Sequence, residues 1–284
     1  MTPDTQAPPA TAFRAAAGLR LLTWPALDTA GAAGADAAVT ARRGGVSEGP
    51  YATLNLSLSV GDDPARVREN RRRLAAAFGA RPDDFVFARQ EHGAGVAVVG
   101  PAARGSGAFG LDDAIGGADA LVTASPGVVL AILAADCVPL VLHDPGAGVL
   151  ACVHAGWRGT VAGVTAAAVA AMRDLGARPQ DLVAGVGPAI AGARYQVGAA
   201  VHEAVTRTFG PSAPFIRPDP AAPGRWLLDL PAANAAALRA AGVPAARIHV
   251  TDQVTGSGEF FSDRAARPCG RLALVARLRA GGAR

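Results

Sequence analysis

The chain contains no lysine, so its formal charge of +4 and its pI near 9.6 rest on arginine alone. Aromatic residues make up only 5% of the 284 positions, and none interrupts the densest basic run, Arg66, Arg68, Arg71, Arg72 and Arg73. Single-stranded nucleic acid is held by stacking bases on such aromatics, so the run reads as a solvated helix face and no nucleic-acid partner is expected. Anion binding by one or two of these arginines stays open. No apolar stretch reaches the roughly 20 residues of a membrane span. The longest, Val128 to Leu142, contains Asp136 and runs into His143 and Asp144, so no membrane partner is expected. The first eighteen residues have neither a positive start nor a continuous apolar block, which reads as a disordered Ala/Pro-rich tail over 1–18 rather than an export signal, with one domain over 19–284. Cysteine is scarce as well: Cys137, Cys152 and Cys269 form an odd set, which points to reduced thiols in the cytoplasm, where cysteine serves metals or catalysis. A GxGxxG turn after a strand and a P-loop are both absent, which excludes nucleotide-binding folds of those types.

What is present is 50% apolar sequence, enough to bury a substantial core. LRLLTWP and AAVTARRGG read as strands, followed by GVSEGPYATLNLSLSVGDD, a connection without periodicity. Asp63-Pro64 is a helix start, an N-cap oxygen before a proline, and the helix runs to Gly79 with Val67, Leu74 and Phe78 as its apolar stripe. FVFAR, ALVTA, VVLAILAADC, LVLHDP and VLACVHAGW read as strands. The last delivers into GWRGT and one long alanine-rich helix, VAGVTAAAVAAMRDLG. Strand DLVAGVG, helix GAAVHEAVTRTFG, strand RWLLDL, helix PAANAAALRAAG and strands RIHVTD and GRLALVARL complete the order. Strands and helices mix without a βαβ rhythm, which favours a layered α/β or α+β architecture over a doubly wound one.

Three segments end in residues able to bind a metal: Arg89-Gln90-Glu91-His92-Gly93, Ala135-Asp136-Cys137-Val138-Pro139, and Val153-His154-Ala155-Gly156-Trp157-Arg158-Gly159. Strand ends far apart in sequence converge easily in space, and 45 residues separate His92 from Cys137 while 17 separate Cys137 from His154. No CxxC or HxxxH spacing supports the set, and singly a buried Cys is a small hydrophobe and a His a hydrogen-bonded one. The glycines beside His92 and His154 shift the balance, because they mark sharp turns or close backbone approach rather than packing. Two imidazoles and one thiolate suit zinc or copper and leave a coordination position open for chemistry. Cys152, on the same strand face as His154, has no turn beside it and reads as core. Arg158, between the HAGW turn and the following helix, is placed to hold an anion such as phosphate, with a surface ion pair as the alternative.

QEHG, ADCVP and HAGWRG, in this order and near these distances, resemble the laccase-domain family, also called the multicopper polyphenol oxidase or purine nucleoside phosphorylase family. GVSEGPYATLNLS, the GDDPARVRENRRRL helix, GVGPAIAGARYQVG and FFSDR extend the resemblance over about residues 19 to 280. It implies a single α/β domain of sandwiched layers with two mixed sheets, and zinc on His92, Cys137 and His154. It also implies phosphorolysis of adenosine, inosine and S-methyl-5′-thioadenosine and deamination of adenosine, with purine nucleosides and phosphate as small-molecule partners. At family-like motif positions Cys137, His154 and Arg158 take the catalytic roles, Arg71 and Arg158 hold phosphate or substrate oxygens, and Asn55 contacts substrate. Two positions depart from the pattern: many members carry a cysteine near Gln253 and a tyrosine or histidine where FFSDR has Asp263, which touches the pocket wall and not the metal ligands.

Four other readings use the same residues. Some members resemble peptidoglycan editing factors, which remove a wrong amino acid from a cell-wall precursor. Cys137 and His154 would also serve a metal-free cysteine hydrolase. Copper-based polyphenol oxidation needs many more histidines than the five present. Finally, zinc would only stabilise the fold if Cys152 completed a closed site.

Overall fold

The computed structural model of the chain describes residues 10–28 and 34–279. The strands in chain order are β1 (Ala12–Ala16), β2 (Leu19–Thr23), β3 (Ala35–Thr40), β4 (Phe85–Arg89), β5 (Val96–Val98), β6 (Ile115–Gly116), β7 (Ala120–Thr123), β8 (Val129–Ala134), β9 (Val138–Asp144), β10 (Val149–Ala155), β11 (Val183–Val186), β12 (Gln196–Val197), β13 (Ile216–Pro218), β14 (Trp226–Leu228), β15 (Ile248–Val250) and β16 (Leu272–Leu278). The α-helices are α1 (Pro64–Ala77), α2 (Trp157–Ala162), α3 (Val164–Asp174), α4 (Ala199–Phe209) and α5 (Leu230–Ala240).

Two large mixed sheets stack face to face, one ordered β1-β2-β3-β16-β8-β4-β6 and the other β15-β11-β9-β10-β7-β5. Alternation within the central strands explains why they read as unbroken apolar runs. On β8, Leu130 and Ile132 point between the sheets while Val129 and Ala131 point outward to α1. On β10, Leu150 and Cys152 point between the sheets while Val149, Ala151 and Val153 face α3 and its neighbours. Each sheet is therefore covered on both faces, which removes the polar half of the period-2 pattern. The layers run α1, seven-stranded sheet, six-stranded sheet, then α2 to α5. A third sheet, β12-β14-β13, lies beside the helical layer; of its strands only β14 was expected, within RWLLDL, since each is only two or three residues long.

Three local expectations change. The tail expected over 1–18 is in part a strand: β1 pairs antiparallel with β2 from Ala12↔Thr23 to Ala16↔Leu19, although its sequence AFRAA shows no alternating apolar pattern. Residues 1–9 of that expected tail lie outside the described residues. The single alanine-rich helix is two, because Gly163 at φ 86° ends α2 in the left-handed region and begins α3. The α1 stripe contains polar residues, Asn70 and Arg71, between Val67 and Leu74.

Those two residues account for the aperiodic connection before α1. Asn70 donates to Ser47 Oγ, Thr53 O and Asn55 O and accepts from Val46 N–H. Arg71 donates to Leu56 O. Side chains of a neighbouring helix thus satisfy backbone groups that in a strand would pair with other backbone, so a segment without periodicity is still fixed.

Asp144, buried at the end of β9, accepts N–H bonds from Gly146 at 2.8 Å, Ala147 at 3.0 Å and Arg178 at 2.9 Å. Burial alone would push its carboxyl up, but the Arg178, Ala147 and Gly146 donors outweigh it and hold the pKa below the ordinary carboxylate range. Asp144→Ala should lose roughly 1–3 kcal/mol in urea denaturation at pH 7, leaving three donors without their acceptor. A lowered folded pKa gives stability that is complete above the unfolded value and fades as pH falls through the folded one. The gap between wild type and variant should therefore narrow in acid, and a gap independent of pH would contradict the assignment.

Candidate metal centre

His92 follows the end of β4, Cys137 follows β8, and His154 is the penultimate residue of β10. β4 and β8 are parallel neighbours in one sheet, with Phe87 beside Ala131, while β10 belongs to the other, so the three side chains come together from strand ends of both sheets. One ligand atom from each lies within 4.8 Å of the others, and among the described residues they are the group of this kind. The imidazoles of His92 and His154 stand edge to face with centroids 4.8 Å apart. His92 at φ 60° and Asp136 at φ 92° both take the left-handed conformation that side chains other than glycine rarely adopt. Strain at two positions flanking one site is characteristic of a functional constraint.

Asp119, one residue before β7, holds the centre together. Its Oδ1 accepts from His154 Nδ1 at 2.8 Å and from His92 N–H at 3.0 Å, and its Oδ2 accepts from Gly93 N–H at 2.7 Å and Glu91 N–H at 3.2 Å. Because a carboxylate only accepts, the Nδ1 of His154 carries the proton and Nε2 is the nitrogen left for a metal. Burial would raise the Asp119 carboxyl, but the His154 and Gly93 hydrogen bonds prevail and keep it below its ordinary value. Burial likewise pushes the Cys137 thiol up and the His154 imidazole down, and both are overridden by their partners. Hydrogen bonds from His154 and His92 bring Cys137 down to about 6, while Asp119 and Cys137 raise His154 to about 9. Near neutral pH the unliganded pair is a thiolate facing an imidazolium.

Gly156 allows this proximity. A Cβ at that position would lie 3.0 Å from Cys137 Sγ and 3.1 Å from His92 Cδ2, so the HAGW turn can approach the ligands only without a side chain. Cys152 stays in the apolar layer between the sheets, fully buried, with its thiol raised far above the ordinary range by desolvation alone. It is not part of the group able to hold a metal, which among the described residues has three members rather than a closed four.

The centre opens into a cavity of about 580 Å³ whose wall includes Arg71, Arg158, Tyr195, Asp263, Arg264 and Arg271. Arg158 lies 4.7 Å above the Trp157 ring and has no carboxylate partner among the described residues, so the ion pair considered for it does not form. Arg71 is buried rather than solvated, over the Phe87 ring at 3.9 Å. Asn55 is corrected: it is fully buried outside the cavity wall, donating to Ser57 O and Asp62 Oδ2 and accepting from Ser57 and Arg271 N–H, so it shapes the loop and does not reach a substrate. Of the two departures, Asp263 lines the cavity, paired with Arg267 and Arg271, whereas Gln253 bonds to Asp252 and is not in the wall.

Asp119, Asp136, Tyr195 and Arg264 were not among the residues singled out from the sequence. Asp136 accepts from Thr255 Oγ1, Ser262 Oγ and Arg264 N–H, pinning the segment that carries Arg264 to the turn that carries Cys137. Its place beside Cys137 in ADC was the available signal. Asp119 offered none, because a lone Asp before an apolar strand is an ordinary strand start.

Asp119→Ala should weaken binding of a divalent metal about 10- to 100-fold in competition with a chromophoric chelator, and unchanged affinity would remove its orienting role. Gly156→Ala should also weaken metal binding while the far-ultraviolet circular dichroism stays that of wild type. In the wild type, affinity should rise roughly tenfold per pH unit between about 6 and about 9, because within that window an incoming ion displaces one proton, that of His154, from an already ionised Cys137. A pH-independent affinity would show that the pair is not protonated in this way.

Comparison with known proteins finds the sequence profile of the family described as multi-copper polyphenol oxidoreductase laccase matching residues 36–279. The chain is 46% identical over 227 residues to a purine nucleoside phosphorylase of Deinococcus radiodurans, covering 80% of this chain and 82% of that protein. It is 40% identical over 235 residues to purine nucleoside phosphorylase YlmD of Geobacillus stearothermophilus, covering 82% and 85%. The crystal structure of YlmD superposes with a TM-score of 0.89 over 96% of this chain and 100% of that one, at 37% identity. That of the Bacillus licheniformis hypothetical protein YfiH superposes with a TM-score of 0.87 over 94% and 99%, at 32% identity.

Proposed function

Because the chain belongs to the multi-copper polyphenol oxidoreductase laccase family, we propose that it is a zinc-dependent purine nucleoside enzyme, carrying out phosphorolysis of adenosine, inosine and S-methyl-5′-thioadenosine and deamination of adenosine. One observation carries this reading: three donor atoms within 4.8 Å of one another open into an arginine-lined cavity large enough for a small-molecule substrate. The relatives' names supply the substrate class, purine nucleosides and phosphate.

The donor set fits zinc. Two imidazoles and a thiolate are borderline-soft ligands, the second-sphere carboxylate of Asp119 fixes one imidazole, and three ligands leave a position for substrate or water. Bound there, zinc would act as a Lewis acid, lowering the pKa of water or polarising a substrate bond. The remaining chemistry belongs to the chain. Loss of a purine from ribose builds positive charge on the sugar and negative charge on the leaving base, so phosphate must be held on one face and the base neutralised on the other. Arg158 follows the HAGW turn directly, lines the cavity and has no carboxylate of its own, which suits it to hold the phosphate. Tyr195 keeps its proton, since burial above all pushes its hydroxyl up to about 12, and the Arg264 guanidinium stacks 5.1 Å from its ring. The pair forms a wall able to pack against a flat base while offering one hydrogen-bond donor.

A second reading is favoured by the lowered Cys137 thiol, which with His154 is the ion pair of a cysteine hydrolase. Metal content separates the two. Wild type should carry about one zinc per chain and release adenine or inosine from adenosine and phosphate, and Cys137→Ala should lose both metal and turnover, by at least about a hundredfold in rate. Turnover that survives exhaustive chelation yet vanishes in Cys137→Ala would transfer the chemistry to the thiolate. Zinc without nucleoside turnover would overturn the substrate assignment and leave the amide of a cell-wall precursor as the reaction to assay. Cys152→Ser should keep its zinc.

A further inference from the structure

Arg71 and Arg158 line one cavity but come from opposite outer layers of the sandwich, α1 beyond the seven-stranded sheet and α2 beyond the six-stranded one. Arg71 stands over Phe87, whose partner on β8 is Ala131. From Ala131 to the end of β8 at Ala134 is already roughly 10 Å at about 3.3 Å per residue, and Cys137 lies beyond. Arg71 therefore stands on the part of the cavity wall alongside β4 and β8, whereas His92 and Cys137 follow the ends of those strands.

That arginine is a buried cation without a counter-ion. Its side chain is 5% exposed, its Nε donates to Leu56 O at 2.9 Å, and its Nη1 donates to Gly107 O at 2.5 Å and Ala108 O at 2.9 Å. Its Nη2 has no hydrogen-bond partner and its charge no carboxylate among the described residues. Burial first, and the like charge of Arg68 second, lower its pKa to about 9, which still leaves it protonated at neutral pH. An isolated guanidinium out of water is costly, and three carbonyls fix its position without neutralising it. The neighbouring wall adds Ser57 and Ser59, whose hydroxyls are hydrogen-bonded to each other at 3.0 Å, and Arg89. Loop carbonyls thus hold the guanidinium in a fixed pose on a cavity wall with donor capacity left over, which is how an anion subsite is built.

We infer that Arg71, with Ser57 and Ser59, forms a second anion subsite at the end of the cavity away from the metal, which takes the 5′-phosphate of a nucleoside monophosphate whose base and sugar carbon stand at His92, Cys137 and His154. The inference rests on the nucleoside reading for its base and sugar, and the comparison of inosine with its 5′-monophosphate separates failure of the subsite from failure of that reading.

The test is isothermal titration of the zinc-loaded full chain in phosphate-free buffer with inosine and with inosine 5′-monophosphate, neither of which can undergo phosphorolysis without phosphate or lose an amino group. The monophosphate should bind wild type about tenfold tighter than inosine or more, as expected for one charge-assisted contact. That ratio should fall to near one in Arg71→Met and in Ser59→Glu, the latter placing a carboxylate on an exposed position of the wall and so keeping the test valid if Arg71→Met does not fold. A ratio near one in wild type or a ratio unchanged in Ser59→Glu would overturn the subsite alone, and binding of neither ligand would overturn it together with the nucleoside reading on which it rests. Binding of the monophosphate alone, lost in the variants, would uphold the subsite and overturn the reading of free nucleosides as substrates.

Discussion

The carboxylate of Asp119 is the constraint on which the centre depends. Its two oxygens accept four hydrogen bonds, three from the backbone of the Glu91-His92-Gly93 turn and one from the His154 ring. The turn leaves β4 in one sheet and His154 stands on β10 in the other, so one buried anion fixes the separation of two ligands that no covalent or sheet contact relates. Its negative charge also sustains the imidazolium of His154, which in turn sustains the thiolate of Cys137. An orienting carboxylate behind a histidine ligand is the usual means by which a metal site obtains a defined tautomer.

Asp136 performs the equivalent task for the cavity wall. Three donors from the 255–264 segment converge on its carboxylate, and its left-handed backbone turns Cys137 toward the two histidines. Both carboxylates spend their charge on positioning, and arginines, among them Arg71, Arg158 and Arg264, line the cavity beside them. Arg71 and Arg158, which come from the two outer layers, place a guanidinium on the cavity wall from each side of the stacked sheets.

The site was legible where residue type and glycine placement carried the signal. His92, Cys137 and His154 could be selected because each stands at a strand end beside a turn, and the 3.0 Å that a Cβ on Gly156 would leave to Cys137 Sγ supplies the physical reason for the glycine after His154. Asn55 was misplaced because a polar residue in an irregular loop looks the same whether it faces a ligand or satisfies the loop's own backbone. Arg71 looked solvated because it stands among four other arginines, none of them buried, and only the depth of α1 against β4 sets it apart. β1 escaped notice because an edge strand with one covered face has little apolar pattern to read.

By itself, the sequence determined the order of most strands and helices, the start of α1 at Asp63-Pro64, the burial of Cys152 and the three side chains, His92, Cys137 and His154, that come together as a group able to hold a metal. These follow from local rules: periodicity, capping and the conformations that glycine and proline permit. Tertiary structure alone decided that Asp119 would serve two ligands at once, that Asn70 and Arg71 would anchor an aperiodic loop, and that Arg71 and Arg158 would end on one cavity wall. Each of these joins residues from different layers, and the pairing across layers is fixed by how two sheets stack, a relation no window of neighbouring residues encodes.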